Sequence, residues 1–191
     1  MVSGILLAAG NSTRMGDANK LLLPIKGEPL FVKMVRAMEH SNLDELIVVL
    51  GHDYKQMIPH CNSNALKLAI NGNHLEGQTS SIKAGMQLIN PSSNAVMICL
   101  ADMPLITSDH LNKLLTVSNH QNIFRPMHNG RPGNPTIFPK SLFNELLDCK
   151  NPNGCKEVIN TNADLLKIYD TEDPAYFSDM DTPEEYSKFA S

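Results

Sequence analysis

The sequence predicts an α/β domain with a mostly parallel sheet. Short apolar runs alternate with amphipathic stretches along the 191 residues, an order typical of strands that alternate with helices. Several apolar runs are continuous, as expected for strands that helices cover on both faces. Apolar residues make up 42% of the chain, and no repeat or low-complexity linker divides it. We therefore expect a single domain across residues 1–191.

The first half of the chain predicts three strands around one helix. Val2–Ala8 is an almost continuous apolar run and predicts a buried first strand. A polar loop with two glycines follows at 10–20, and apolar residues then recur at helical spacing over 30–38. The apolar runs Glu45–Leu50 and Leu66–Ile70 predict the second and third strands.

The second half continues the alternation and adds a glycine- and proline-rich segment. A helix is predicted at 82–89, and Ala95–Leu100 is the clearest strand in the chain. Thr107 caps a further helix, and the prolines and glycines of 123–138 indicate two short strands around a loop. The remaining predicted elements are helices at 141–147 and 155–159, a strand at 165–169, and a C-terminal helix that begins with the capping box Thr182-Pro183-Glu184-Glu185.

Composition excludes several classes of protein. Sixteen basic and 20 acidic residues give a net charge of −4, which argues against a nucleic-acid partner. No apolar run approaches the roughly 18 residues that span a bilayer, and the first residues lack the cationic segment of a signal peptide. The four cysteines have no CxxC spacing, so we expect reduced thiols, a cytoplasmic location and no membrane partner.

The loop after the first strand has the composition of a phosphate-binding loop. In parallel sheets ligands bind beyond the carboxyl ends of the strands, where this loop begins. Its spacing matches neither GxxxxGK[ST] nor GxGxxG, and an ordinary polar loop remains the alternative interpretation. The residues that offer flexible backbone, hydroxyl groups or positive charge are Gly10, Ser12, Thr13, Arg14, Gly16 and Lys20.

Two acidic residues lie next to the ends of predicted elements, at positions suited to binding a cation. Asp102 comes just after the strongest strand, where a carboxylate facing the loop could hold Mg²⁺ against phosphate oxygens. It could equally shape the turn before Pro104. Asp181 precedes the C-terminal helix, where an acid could also serve as a helix-dipole charge.

The motifs in this order resemble those of the MobA-like NTP transferases. The first motif runs from Leu7-Ala8-Ala9-Gly10 through Ser12, Arg14, Met15 and Gly16 to Lys20-Leu21-Leu22-Leu23-Pro24. The later ones are Val49-Leu50-Gly51-His52, residues 73–85, Leu100-Ala101-Asp102-Met103-Pro104, Arg125-Pro126, Gly133-Asn134-Pro135 and Asp179-Met180-Asp181-Thr182-Pro183. The resemblance implies a nucleotide-diphospho-sugar transferase fold, with a Rossmann-like sheet that contains one antiparallel strand.

Within this family the chain most resembles the molybdenum cofactor cytidylyltransferases. This implies transfer of CMP from CTP to molybdopterin with release of pyrophosphate, Mg²⁺ or Mn²⁺ as cofactor, and a molybdoenzyme or its chaperone as partner. One alternative is the same nucleotidyl transfer with other substrates, either from GTP or from another NTP to another phosphate ester. The other alternative is a protein that binds a nucleotide and is not an enzyme.

The resemblance also implies a role for individual residues. Arg14 and Lys20 would hold phosphates and Asp102 the metal, as the catalytic residues; Asp181 would be the second metal ligand. We expect Ala9 to narrow the base pocket with its methyl group and Gly77 to let a flat base approach. Without a ligand, we expect Arg14 and Lys20 to be solvated, because both are long cations in a loop. Gly77 and Ser81 could instead serve only in helix capping. The implied nucleotide contacts are Leu7, Ala8, Ala9, Gly10, Ser12, Arg14, Gly16, Lys20, Gly77 and Ser81, and the implied acceptor contacts are Arg125, Arg131 and Asn134.

Two segments depart from the family pattern. Many relatives carry His at the position of Asn134. They also carry a Gly-Asp-x-Gly-Ala-Arg-like stretch where this chain has 151–156, of which Gly154 and the basic Lys156 persist. Both departures fall in the region expected to bind the acceptor.

Overall fold

The computed structural model describes residues 1–10, 19–61, 63, 66–150, 152 and 154–190. The strands in this part of the chain are β1 (Val2–Ala8), β2 (Pro24–Ile25), β3 (Glu28–Pro29), β4 (Glu45–Leu50), β5 (Leu66–Ile70), β6 (Ala95–Leu100), β7 (Ile123–His128), β8 (Arg131–Pro132), β9 (Thr136–Pro139) and β10 (Leu166–Asp170). The α-helices are α1 (Leu30–Glu39), α2 (Tyr54–Met57), α3 (Gln78–Met86), α4 (Ser108–Val117), α5 (Phe143–Asp148), α6 (Lys156–Thr161) and α7 (Pro183–Phe189).

The main sheet has the order β10-β7-β9-β6-β1-β4-β5, with β8 paired to β7. The pairs β10–β7, β6–β1, β1–β4 and β4–β5 are parallel. Strand β9 runs antiparallel to both of its neighbours, and the two-residue β8 runs antiparallel to β7. The prediction of a mostly parallel sheet is therefore confirmed, with a second, very short antiparallel strand beside the expected one.

Helices cover both faces of the sheet, which explains the continuous apolar runs. All seven residues of β1 are buried. Leu6 and Ala8 join the core layer under α1 and α4, whereas Ile5 and Leu7 join the layer under α3, α5 and α6. Because successive side chains of a strand point to opposite faces, a strand between two helical layers needs apolar residues at every position.

The predicted elements are present with small shifts of their ends. The predicted helix at 82–89 is α3, which begins four residues earlier and ends at Met86. The capping box of α7 is formed as predicted, with the Glu185 amide donating to the Thr182 hydroxyl at 3.2 Å. The β2–β3 hairpin was not predicted; it turns through Lys26 and Gly27, both at positive φ, and its two-residue strands have no periodicity to detect.

The described helices do not include one that could cross a bilayer. The longest of them have ten residues, and none combines the length and the apolar character that a membrane span requires.

Candidate functional site

Three charged side chains meet beyond the carboxyl ends of β1 and β6. The Lys20 ammonium lies 2.7 Å from Asp102 Oδ2 and 2.6 Å from Asp181 Oδ1. These residues are 82 and 161 positions apart from Lys20 in the sequence. The predicted catalytic and metal-binding residues in the described part of the chain therefore converge on one point, at the edge where parallel sheets bind ligands.

The backbone holds the two acids side by side. Asp102 lies just past the end of β6, and its carbonyl accepts a hydrogen bond of 2.9 Å from the Met180 amide. The Glu185 carboxylate then accepts from the amides of Asp181 at 2.6 Å and Thr182 at 3.0 Å. The capping box of α7 thus fixes the main chain that carries the second acid.

Lys20 is held in place by residues that the sequence analysis did not identify. The Asn19 side chain accepts from the Leu21 amide at 3.0 Å and caps the short 3₁₀ turn Lys20–Leu22. Its amide nitrogen donates to Asp53 Oδ2, 3.0 Å away, in the loop after β4. Asn19 before an apolar run was a detectable capping signal, whereas the contact with Asp53 depends on the tertiary fold.

Burial and charge make this cluster different from a surface ion pair. Lys20 is 9% exposed, so the expectation of a solvated cation is wrong for this residue. Burial alone would lower the pKa of Lys20, but the two carboxylates hold this pKa above its ordinary value. The ammonium therefore stays charged and tied to the two acids at neutral pH.

The acids fit a divalent metal of the kind that phosphate chemistry uses. Within the described residues, Asp102 Oδ1 is a buried oxygen without a hydrogen-bond partner. The same residues contain no cluster of three metal-ligating His, Cys, Asp or Glu side chains. Mg²⁺ often takes one or two protein carboxylates and completes its shell with water and phosphate oxygens, so Asp102 and Asp181 suffice.

The side chains at the end of β1 belong to the core. Leu7, Ala8 and Ala9 are buried, and Gly10 is exposed at the edge of the sheet. The Ala9 methyl lies in the core, and a Cβ added to Gly51 would be 2.8 Å from it. The expectation that this methyl narrows a base pocket is therefore wrong, because the group faces Gly51 and the core.

Part of the predicted phosphate loop lies outside the described residues. Ser12, Arg14 and Gly16, three of the expected nucleotide contacts, belong to that segment. Their roles stay predictions.

Gly77 and Ser81 lie at the start of α3, and Gly77 has a structural reason to be glycine. Its φ is +91°, and an added Cβ would lie 2.5 Å from the Pro152 carbonyl oxygen. The space on the Cβ side of Gly77 is thus filled by Pro152, whereas the contact of Gly77 with a base stays a prediction. The Ser81 hydroxyl accepts from the Asn71 side chain at 3.0 Å, and Asn71, at the end of β5, was also missed by the sequence analysis.

The three expected acceptor residues divide between two cavities. Arg125 and Asn134 line a cavity of about 510 Å³ between the ends of β6, β7 and β9 and the helices α3 and α6. Arg131 lines a separate cavity of about 410 Å³, where it donates to the Phe177 carbonyl at 2.7 Å. Arg131 thus lies in a different cavity from the other two expected acceptor contacts, and its role stays a prediction.

Arg125 is a half-buried cation with a buried donor that is unused. Its Nη2 donates to the Gly133 carbonyl at 3.0 Å, while its Nε is buried without a partner among the described residues. Burial lowers the pKa of Arg125, and no carboxylate contributes to the shift of this pKa. The cavity therefore presents positive charge that the neighbouring side chains do not neutralise.

Three curated relatives match this chain over nearly its whole length. Purine catabolism protein PucB of Bacillus subtilis is 28% identical over 96% of this chain and 93% of its own. Nicotine blue oxidoreductase of Paenarthrobacter nicotinovorans is 24% identical over 96% and 94%. Molybdenum cofactor cytidylyltransferase of Escherichia coli is 24% identical over 95% and 92%.

Solved structures share the fold. A nucleotidyl transferase from Methanothermobacter thermautotroptrophicus superposes with a TM-score of 0.87 at 18% identity, covering 100% of this chain and 96% of the other. Rv0371c of Mycobacterium tuberculosis, in a complex with manganese, has a TM-score of 0.78 at 19% identity and covers 99% and 97%. The MobA-like NTP transferase domain model matches residues 4–166, and the chain therefore belongs to this family of nucleotidyltransferases.

Proposed function

We propose that this protein transfers CMP from CTP to the terminal phosphate of molybdopterin and releases pyrophosphate. The observation that carries the proposal is the convergence of Lys20, Asp102 and Asp181 at the carboxyl edge of the sheet. A cation and two acids at that place suit the binding of a polyphosphate and its metal ion. The choice of substrates rests on the first sequence motif and on the similarity to the E. coli cytidylyltransferase.

The transfer needs positioning and charge neutralisation more than proton transfer. An oxygen of the acceptor phosphate attacks the α-phosphorus of CTP, and the bond from that phosphorus to the bridging oxygen of the β-phosphate breaks. The nucleophile is already an anion, so no general base is required. Lys20 would hold the α-phosphate and Arg14 the β- and γ-phosphates, which lowers the charge on the departing pyrophosphate.

Asp102 and Asp181 would hold the divalent ion, Mg²⁺ or Mn²⁺. Such an ion supplies positive charge to the phosphate oxygens when it is bound. The unpartnered Oδ1 of Asp102 gives the ion a carboxylate oxygen that the protein leaves unused. The manganese complex of Rv0371c, which has the same fold, agrees with a divalent metal in this architecture.

The nucleoside would lie over the ends of β1 and β5. The main chain of Leu7, Ala8, Ala9 and Gly10 would contact it from one side. Ser81 would contact it from the other side, since a hydroxyl that accepts from Asn71 still has its own proton to donate to a base carbonyl. Hydrogen bonding, rather than the Ala9 methyl, would then determine the preference for cytosine.

The cavity beside Arg125 would receive the acceptor. Ile98 and Leu100 of β6 line this cavity, and Asp102 follows two residues after Leu100. The cavity therefore lies close in the chain to the proposed metal site. The unneutralised guanidinium of Arg125 suits an acceptor that carries a phosphate, and the apolar side chains around it suit a flat ring system. Asn134 lines the same cavity and would contribute polar contacts.

We further propose that the enzyme works in the cytoplasm and passes its product to a molybdoenzyme or its chaperone. All four cysteines are unpaired, which agrees with a reducing compartment.

The test is pyrophosphate release with each of the four NTPs, with and without molybdopterin, in the presence of Mg²⁺. We expect release with CTP and molybdopterin together and little with either alone. A preference for GTP would refute cytidylyl transfer and leave a guanylyl- or other nucleotidyltransferase. If every NTP and acceptor combination failed to release pyrophosphate, the chain would be a nucleotide-binding module without catalysis.

A further inference from the structure

One oxygen of each carboxylate assigned to the metal already contacts a cation of the protein itself. Lys20 Nζ lies within 2.7 Å of an oxygen of each acid, at 2.7 Å from Asp102 and 2.6 Å from Asp181. The ammonium thus bridges the two acids, as a shared divalent ion would. This inference rests on the proposed metal site and concerns what must happen before that site can be filled.

An ammonium and a divalent ion cannot both bind closely between the same two carboxylates. Mg²⁺ needs oxygens at about 2.0–2.1 Å, and a buried positive charge beside it would repel it. Lys20 cannot leave without a new partner either, because a 9% exposed ammonium without a counter-ion is strongly unfavourable.

A nucleotide supplies the missing partner. Its phosphates offer anionic oxygens to which an ammonium group binds strongly. The Asn19 cap fixes the turn that Lys20 begins, so the transfer would be a movement of the Lys20 side chain. We propose that Lys20 closes the metal site in the ligand-free protein and opens it only when a nucleotide polyphosphate takes over its ammonium group. Metal binding is thereby coupled to nucleotide binding, and a metal ion without nucleotide binds only weakly to the two acids.

The experiment measures the affinity of the protein for Mn²⁺ alone, by the loss of the electron paramagnetic resonance signal of free Mn²⁺. Wild type is compared with Lys20→Met, which removes the charge and keeps a long unbranched side chain. Coupling between sites typically changes affinity by about 5–150-fold, and we expect Lys20→Met to bind Mn²⁺ about tenfold more tightly than wild type without nucleotide.

A matched control separates this effect from the general loss of a positive charge. Lys33 donates to the carbonyl of Pro104, two residues past Asp102, and contacts neither acid in the described structure. Lys33→Met should leave the Mn²⁺ affinity within about twofold of wild type. Lys20→Arg, which keeps a cation between the acids, should also bind Mn²⁺ as weakly as wild type.

Lys20→Gln is a second neutral variant, in case Lys20→Met does not fold. Its side-chain amide can still donate a hydrogen bond to a carboxylate. Far-ultraviolet circular dichroism would establish that each variant is folded. Equal Mn²⁺ affinity of wild type and the neutral Lys20 variants would overturn the proposal, as would an equal gain in Lys33→Met.

A second titration adds the CTP analogue with a methylene group between its α- and β-phosphorus atoms, after correction for Mn²⁺ bound by the analogue itself. The analogue should raise the Mn²⁺ affinity of wild type more than that of Lys20→Met, and an equal rise would contradict the coupling. If no nucleotide binds, the proposed function fails, whereas the nucleotide-free comparison still decides the role of Lys20.

Discussion

Adding one methyl group at Gly77 would test the close contact between the start of α3 and Pro152. Its backbone has φ +91° and ψ −178°, a combination that is essentially restricted to glycine. Gly77→Ala would place a Cβ 2.5 Å from the Pro152 carbonyl oxygen and 2.9 Å from the Pro152 Cβ. The segment that carries Pro152 would have to move away from α3.

The expected cost has two parts. Backbone strain for a residue other than glycine in this region is about 1–3 kcal/mol. Movement of the segment would weaken the hydrogen bonds from the Gln78 amide to Pro152 and from the Gly154 amide to Thr79, both 3.1 Å, for about 0.5–1.5 kcal/mol each. A loss of about 2–6 kcal/mol overall corresponds to a fall in Tm of roughly 4–24 °C for a chain of this length.

The assay is thermal unfolding followed by circular dichroism, with Gly72→Ala as the matched control. An added Cβ at Gly72 meets no atom within 4 Å, and its φ is not positive, so its Tm should change by no more than a few degrees. Gln78 and Pro152 also line the proposed acceptor cavity, so Gly77→Ala should raise the KM for the acceptor. Indistinguishable Tm values for the two variants would refute the reasoning about Pro152.

Three further perturbations test the site and its support. Asp102→Asn should keep the protein folded and lower kcat by about 10²–10³-fold, as measured by pyrophosphate release; near-normal turnover would show that this acid holds no metal. Arg125→Gln should raise the KM for the acceptor and leave that for the NTP unchanged, whereas Arg131→Gln, in the other cavity, should alter neither; equal effects would contradict the division of the cavities. Burial alone would raise the pKa of Glu45, but the hydrogen bond from the Asn90 amide holds this pKa below its ordinary 4.5. The stabilisation by Glu45 is therefore present above pH 4.5 and lost as the pH falls through the lower folded pKa. The deficit of Glu45→Gln in urea unfolding should shrink steadily as the pH is lowered from 4.5, and a deficit that did not depend on pH would show that this carboxylate contributes nothing.

The local sequence determined most of the fold. Continuous apolar runs such as Val2–Ala8 and Ala95–Leu100 identify strands buried on both faces, because each position of such a strand meets a core layer. The capping box at Thr182 likewise depends on residues three positions apart, so its pattern is visible without a structure. The motif around Lys20 and the position of Asp102 after a strong strand also predicted these two residues as candidates for phosphate and metal binding.

Only the tertiary structure decided what these residues contact. The pairing of Lys20 with both acids joins three distant parts of the chain, and it turns an expected surface cation into a buried one. The same holds for Gly77, where Pro152 leaves no space for a side chain. It also holds for Arg125 and Arg131, which line different cavities although they are only six positions apart in the sequence. Periodicity, capping and turn signals report on neighbours within a few residues, whereas contacts between strand ends and loops depend on sheet order, which no local pattern encodes.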